Sequence, residues 1–279
     1  MSGRAIVVER AGLQSLVVDR GRFGLRHQGV GWCGAMDSRS YAIANELVGN
    51  AKDAAAIEVV LGDVILRFDA PARFALAGAD CAAELDGEPI AAWSAHAAQA
   101  GARLVLRRPR AWMRTIVAID GGIDVPLVLG SRTTDLMAAM GGFEGRALRA
   151  GDRLGLGPAN AAALHAPVTP PRVDLALRTI AQPLAEHLWD RAWTIGHDSN
   201  RMGYRLKGDA RPHDMGMMPS RAVFPGFIQL PPSGEPIVLM SDAQTTGGYP
   251  LAGVVVEDDV WMLAQAPIGA AVRFVEYGG

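Results

Sequence analysis

IEVVLGDVILRF, residues 57–68, sets two apolar, β-branched runs on either side of a Gly-Asp pair. Each run is shorter than an ordinary helix, and Gly62-Asp63 between them is turn chemistry. The pattern repeats outward. AIVV (5–8), SLVV (15–18), RFALAG (73–78), RLVLRR (103–108) and TIVAID (115–120) surround it, and FIQL (227–230), IVLM (237–240), GVVVE (253–257) and AVRFV (271–275) come later. Gly, Pro or Asp punctuates nearly every gap, which predicts barrels or sandwiches rather than βαβ units. GARLVL (101–106), GDRLGL (151–156) and GAAVRF (269–274) share one form, a glycine turn followed at once by alternation.

The chain has 279 residues, 49% apolar and 20% charged, with a formal net charge of −2. That length suits one large or two ordinary domains, and the near-neutral balance lacks the electrostatic footprint of a nucleic-acid or anionic-membrane binder. Two cysteines, Cys33 and Cys81, make no disulfide framework, so a reducing cytoplasm is expected. MSGRAIVVER (1–10) lacks the apolar core of a signal peptide, and AAWSAHAAQAGA (91–102) is too short and too polar to span a bilayer. GPANAAALHAPVTPPRV (157–173) is rich in Ala and Pro and does not alternate. It reads as a linker at 158–172 between an N-terminal β-barrel-like domain, 1–157, and a C-terminal one, 173–279. Two helices are predicted. One spans about 37–48, with Asp37 as N-cap and Ile43 and Leu47 four apart; the other spans about 181–192, with Pro183 in its first turn.

The sequence holds no Gly-Lys-Ser/Thr phosphate loop, no Gly-x-Gly-x-x-Gly after a strand and no Gly-x-Ser-x-Gly elbow. Its six histidines are scattered without ligand spacing, so no metal site is expected. Four polar loops remain. DRGRFGLRHQGVGWCGAMD (19–37) has five glycines together with Arg26, His27 and Asp37. Its glycines let backbone N–H groups approach an anion near a helix N-terminus, or it is a structural arch with solvated arginines. In DGGIDVPLVLGSRTTDLMAAMGGFEGRAL (120–148), Ser131 and Thr133 precede a short predicted helix and either meet a ligand or cap it. In SNRMGYRL (199–206), Arg201 and Arg205 offer bidentate carboxylate recognition or are surface charges. SDAQTTGGYP (241–250) is the fourth, and a hairpin turn at PPSGEP (231–236) would bring Gln229 beside it.

GAMD with ANELVGN, GGIDVPLVLGSRTTDL, GGFEGRALRAGDRL, SNRMGYRL, PGFIQLPPSGEPIVLMSDAQTTGGYP and LAQAPIGAAVRF occur in that order across nearly the whole chain. Together they resemble the biotin-dependent carboxyltransferase family of the Kip-antagonist type. That family includes the C subunit of bacterial 5-oxoprolinase, the second subunit of allophanate hydrolase and half of the urea carboxylase carboxyltransferase. The resemblance implies two linked cyclophilin-like β-barrel subdomains. It implies partnership with a Kip-inhibitor-like subunit and with a lactam-utilisation-type subunit in the ATP-dependent opening of 5-oxo-L-proline to L-glutamate. No cofactor is then bound by this chain alone; the complex uses ATP, and biotin would arrive in trans in a urea carboxylase-type system, the alternative reading. A non-catalytic regulator of the Kip-antagonist kind is the third.

On this reading Asp242 is the catalytic candidate, as acid, base or orienting acceptor. Gln229, Gln244, Thr245, Thr246, Gly247, Gly248, Tyr249, Arg201, Arg26, His27 and Asp37 are the substrate-binding candidates. A lactam or ureido group needs an acceptor for its N–H and donors for its carbonyl oxygen, and these residues offer both. Two places depart from the family. Where relatives read Thr-Val-Gln-Asp, this chain has Leu16, Val17, Val18 and Asp19, and the stretch 175–188 lacks the usual Pro-Gly-Pro turn.

Overall fold

The two runs of the opening stretch lie in different sheets. Ala56–Val60 is buried along its whole length, whereas Val64–Phe68 alternates buried and half-buried positions. Between them Leu61, Gly62 and Asp63 all have positive φ, 57°, 64° and 57°. Gly62 is required there, since a Cβ would lie 2.0 Å from the Arg107 carbonyl oxygen. The corner therefore passes the chain from one sheet to the next instead of folding it back as a hairpin. These features come from a computed structural model that describes residues 3–160, 164–214 and 218–278.

The chain divides into two units. The first holds the residues up to Arg22 together with Cys33–Pro171; the second holds Phe23–Trp32 and the residues from Arg172 on. The sequence division kept 1–157 together, so Phe23–Trp32 is the segment that departs from it. The described part of the expected linker lies along the first unit, where His165 donates its N–H to Leu47 and Val168 to Trp93. Residues 161–163 of that linker fall outside the described residues.

In the first unit a five-stranded antiparallel sheet runs in the order Gln14–Val18, Ala56–Val60, Arg114–Ile119, Ala72–Gly78, Ser94–Ala98. A six-stranded sheet has the order Arg153–Gly155, Ala5–Ala11, Val64–Phe68, Arg103–Leu106, Glu84–Leu85, Glu88–Pro89. Val17, Ile57, Val59, Phe74, Val117 and Ile119 pack with Ile6, Leu66, Phe68 and Leu104 between the sheets. The alternate residues, Leu16, Val18, Ala56, Ile116 and Ala118, pack on Tyr41, Ala44 and Leu47 of helix α1, Ser38–Leu47. A sheet covered on both faces reads as a continuous apolar run. This explains Leu16 and Val18: both are core residues beneath α1. Helix α1 is the one predicted at 37–48, and Asp37 caps it by accepting the Ser40 N–H at 2.8 Å.

The second unit contains a closed seven-strand barrel. Its order is Ala176–Ala181, Leu251–Val255, Phe227–Gln229, Ile237–Leu239, Gly203–Gly208, Trp193–Ile195, Ala271–Glu276. Parallel pairing of Ala176–Thr179 with Arg273–Glu276 closes the ring, and Trp193 on one of its strands has 0% exposure. The mainly β expectation holds. The barrel of the second unit is closed, while the strands of the first unit lie in two separate sheets.

The helix expected at 181–192 is absent. Residues 176–181 are a barrel strand, and only Ala185–His187 forms a 3-10 turn. Leu184 and Leu188, spaced as on a helix, are instead buried anchors at that turn, and Gln182 continues the ladder by donating to Ala252. Barrel pairing on both edges outweighs local propensity here. The short helix expected after Ser131 and Thr133 is likewise replaced by tight turns closed by the bridges Val128↔Ser131 and Asp135↔Met140. A helix the sequence reading missed, α2, spans Glu257–Gln265. Glu257, Asp258 and Asp259 in its first turn suit the positive end of the helix dipole. Asp259 also holds the first barrel strand, accepting from the Arg178 N–H at 2.9 Å and from its guanidinium at 2.7 Å.

Phe68 has 0% exposure and lies 5.3 Å from Phe74, centroid to centroid. Phe68→Ala should cost about 3–5 kcal/mol in urea denaturation, while Leu13→Ala on the exposed surface should stay within about 0.5 kcal/mol. Comparable losses at the two sites would refute this packing.

A second prediction concerns acid. Arg146 donates to both oxygens of Asp152, at 2.8 and 2.9 Å, and these bonds hold the Asp152 carboxyl below the usual carboxylate range. Its contribution is complete above the unfolded-state value of about 3.9 and is lost as pH falls through the lower folded value. Asp152→Asn should therefore flatten the stability curve below about pH 4, read by circular dichroism, and an unaltered curve would refute it.

Candidate functional site

The loop 241–250 is built into the second unit by three kinds of contact. The first is an ion pair. Arg201 Nε and Nη2 donate to Asp242 Oδ2 and Oδ1 at 2.8 and 2.9 Å, and the two side chains are only 7% and 6% exposed. The Asp242 N–H in turn donates to the Arg201 carbonyl. The bidentate carboxylate partner expected for Arg201 is thus the chain's own Asp242. Of the three roles weighed for Asp242, acid, base or orienting acceptor, a carboxylate with both oxygens in the guanidinium fork has the geometry of the last, and the pair fixes the loop's entry.

The second contact is a pair of carboxamides. The expected hairpin forms, with Gln229 opposite Ile237 and a turn at Pro231–Gly234. It places Gln229, at 2% exposure, under the loop, where Gln244 Nε2 donates to Gln229 Oε1 at 3.4 Å. Gln229 Nε2 is buried and has no hydrogen-bond partner among the described residues. It rests on Gly247, where a Cβ would lie 2.2 Å from that nitrogen. Gly247 is therefore glycine because the amide lies against its backbone. Thr246 and Gly247 pair with Ala222 and Arg221 as a short ribbon above it.

Arg26 makes the third contact. Its guanidinium donates to the Gln244 carbonyl at 2.7 Å and to the Val223 carbonyl, and it lies over the rings of Trp32 and Phe224, 5.4 and 5.0 Å from their centroids. Phe23 and Phe227 extend this aromatic row. The sequence reading singled out Arg26 but missed Trp32, Val223 and Phe224. An aromatic inside a glycine-rich loop and another beside Pro-Gly were the available signals.

Other candidates stand apart. His27 is exposed and touches Gln28. Asp37 has 0% exposure, and its carboxylate receives the Ser40 N–H and hydroxyl, so it is a helix cap rather than a ligand contact. Thr246 is exposed; Thr245 and Tyr249 are half-buried; Gly248 accepts from the Met218 N–H. The polar loop 120–148 belongs to the first unit and is pinned there. Asp19 accepts from the Ser131 hydroxyl at 2.7 Å, the Arg132 N–H at 2.5 Å and the Gly21 N–H at 2.8 Å. Thr133 donates to the Cys33 carbonyl and Thr134 to that of Val17. The Ser131 hydroxyl is thus engaged by a carboxylate and those of Thr133 and Thr134 by backbone. No group of three or more metal-ligating side chains occurs among the described residues.

The profile of the family described as carboxyltransferase domain, subdomain A and B, matches residues 28–276. The chain belongs to that family. It is 43% identical to the C subunit of the Escherichia coli 5-oxoprolinase over 96% of this chain and 89% of that one. It is 31% identical to the urea amidolyase of Lachancea kluyveri over 91% of this chain but 16% of that one. Among solved structures, that of TTHA0988 superposes with a TM-score of 0.91 at 32% identity, over 99% of this chain. The K. lactis urea carboxylase superposes with a TM-score of 0.88 at 28% identity, over 98% of this chain. The chain spans 56% and 27% of the lengths of those two structures.

Asp242→Asn would leave the Arg201 guanidinium buried beside a neutral amide. Removing one partner of a buried pair costs about 3–5 kcal/mol, and replacing both by apolar groups of similar volume restores much of it. Urea denaturation should show Asp242→Asn strongly destabilised and Arg201→Met/Asp242→Leu less so. Equal stability of parent and Asp242→Asn would contradict the pairing.

Proposed function

We propose that this chain is one component of an ATP-dependent 5-oxoprolinase that opens 5-oxo-L-proline to L-glutamate, and that Gln229 and Gln244 contact the lactam. The single observation that carries the reading is the 43% identity with the C subunit of the Escherichia coli 5-oxoprolinase over 96% of the chain. The chemistry of the loop supports it. A lactam presents one N–H and one carbonyl oxygen side by side, and a carboxamide meets that pair with its own oxygen and N–H. Gln229 Nε2 is a buried donor lacking a partner among the described residues, and such a donor costs about 1–3 kcal/mol unless something uses it. Arg26, with its guanidinium on the Gln244 backbone, and the Arg201–Asp242 fork hold the loop that carries the second amide.

The chain acts with two partners, one Kip-inhibitor-like and one of lactam-utilisation type, and ATP is consumed by the assembly. Cys33 and Cys81 are both buried free thiols, which supports a cytoplasmic setting. No helix among the described residues is long and apolar enough to cross a membrane. A second reading, a carboxyltransferase half receiving carboxylate from biotin on another protein, is favoured by the family description and by the urea amidolyase relatives.

Purified chain, with and without the two partners, should be assayed for 5-oxoproline-dependent ADP release. Turnover is expected only in the assembly; full activity of the chain alone, or none in the assembly, overturns the reading. Transfer of carboxylate from carboxybiotin to urea would establish the second reading instead. Gln229→Met keeps volume and removes the amide. It should leave stability equal or higher while lowering kcat/KM in the assembly about tenfold to a hundredfold. Retained activity would remove Gln229 from the site.

A further inference from the structure

A cavity of about 760 Å³ in the first unit shares no residue with the candidate site. Its walls include Trp93, Trp112, Arg108, Arg110, Asp80 and Pro170. Three non-glycine residues lining it have left-handed backbones: Ala82, Trp93 and Trp112, at φ 42°, 59° and 65°. Positive φ is unfavourable for a bulky side chain, and it persists only where surrounding structure enforces it. The enforcement is visible at Trp93. Its N–H donates to Leu76 at 2.7 Å, its indole N–H to Gly78 at 3.1 Å, and its carbonyl accepts from Val168 at 2.9 Å. Trp93 is buried, and the half-exposed Trp112 stands edge-on to it, with centroids 6.3 Å apart and planes at 86°. The strained backbone thus holds Trp112 with part of its surface open to the cavity.

The charges are one-sided. Asp80 accepts the Ala82 N–H at 2.9 Å and so is committed to the turn. Arg108 and Arg110 are exposed, flank Pro109, and have no ion pair or hydrogen bond among the described residues. Two guanidiniums beside a held aromatic face are the chemistry that recognises a planar ring carrying a multivalent anion. The volume is of the size that takes a small ligand of that kind.

We propose that this cavity binds a nucleoside phosphate, its base against Trp112 and its phosphates on Arg108 and Arg110. Neither group suffices alone: a free anion lacks the stacking surface, and a free nucleoside lacks the charge. The proposal does not depend on the reaction assigned to the second unit.

The test is calorimetric titration of the 279-residue chain with ADP, with adenosine and inorganic pyrophosphate in separate runs. ADP is expected to bind about tenfold or more tightly than either, and to weaken as salt is raised. Arg108→Ala/Arg110→Ala, at two exposed positions, should weaken ADP about tenfold to a hundredfold with an unchanged melting temperature. Trp112→Phe should retain ADP binding and Trp112→Ala should lose it. No ADP binding at millimolar concentration, pyrophosphate binding as tightly as ADP, or undiminished binding in the double-arginine variant would overturn the proposal.

Discussion

Buried carboxylates hold the loops of this protein in place. Asp19 ties the Ser131–Arg132 turn, Asp37 starts α1, Asp242 is locked by Arg201, and Asp259 joins α2 to the first barrel strand. A β-rich chain with long connections must satisfy many backbone N–H groups that no ladder reaches. An ionised carboxylate accepts several hydrogen bonds at once, and guanidinium or N–H partners compensate its burial. The arrangement is stable as a set and costly to break singly.

Gln229 is held less completely than those carboxylates. It is as buried as those carboxylates, yet its amide nitrogen has no partner among the described residues. Gly247 gives up a side chain to admit it, and Gln244 meets its oxygen. A buried amide nitrogen of this kind, on a strand beneath the loop, is held at a cost in stability. Loop 120–148 differs from loop 241–250 in that its Ser131, Thr133 and Thr134 hydroxyls are engaged by the Asp19 carboxylate and by backbone carbonyls.

Much of the fold was legible. The period-two runs predicted strands, Gly and Asp predicted corners, and Asp37 before an apolar repeat predicted α1. Legibility failed where neighbours distant in sequence decide. Residues 181–192 carry helical spacing, but barrel pairing draws the chain into a strand up to Ala181 and leaves one short turn. Residues 257–265 follow directly on a β-branched strand, so their acidic first turn was not read as a helix start. At the candidate site, the loop, Gln229 and Arg26, which the fold brings together, were singled out by residue type and hairpin logic. The aromatic row around Arg26 was not, because Trp32 and Phe224 meet only in the fold.

By itself the sequence determined the β-rich class, the hairpin that carries Gln229 to loop 241–250, and the residue blocks shared with the carboxyltransferase family. Those properties rest on short-range alternation, turn stereochemistry and local order. The tertiary structure alone decided which polar residues are occupied by the protein itself. It set Arg201 on Asp242 and Asp37 on its own helix, gathered Phe23–Trp32 into the second unit, and left the Gln229 amide unmatched among the described residues. The reason is physical. A side chain's identity states what it can donate or accept, but whether that capacity is already filled depends on groups that only folding brings within hydrogen-bond distance.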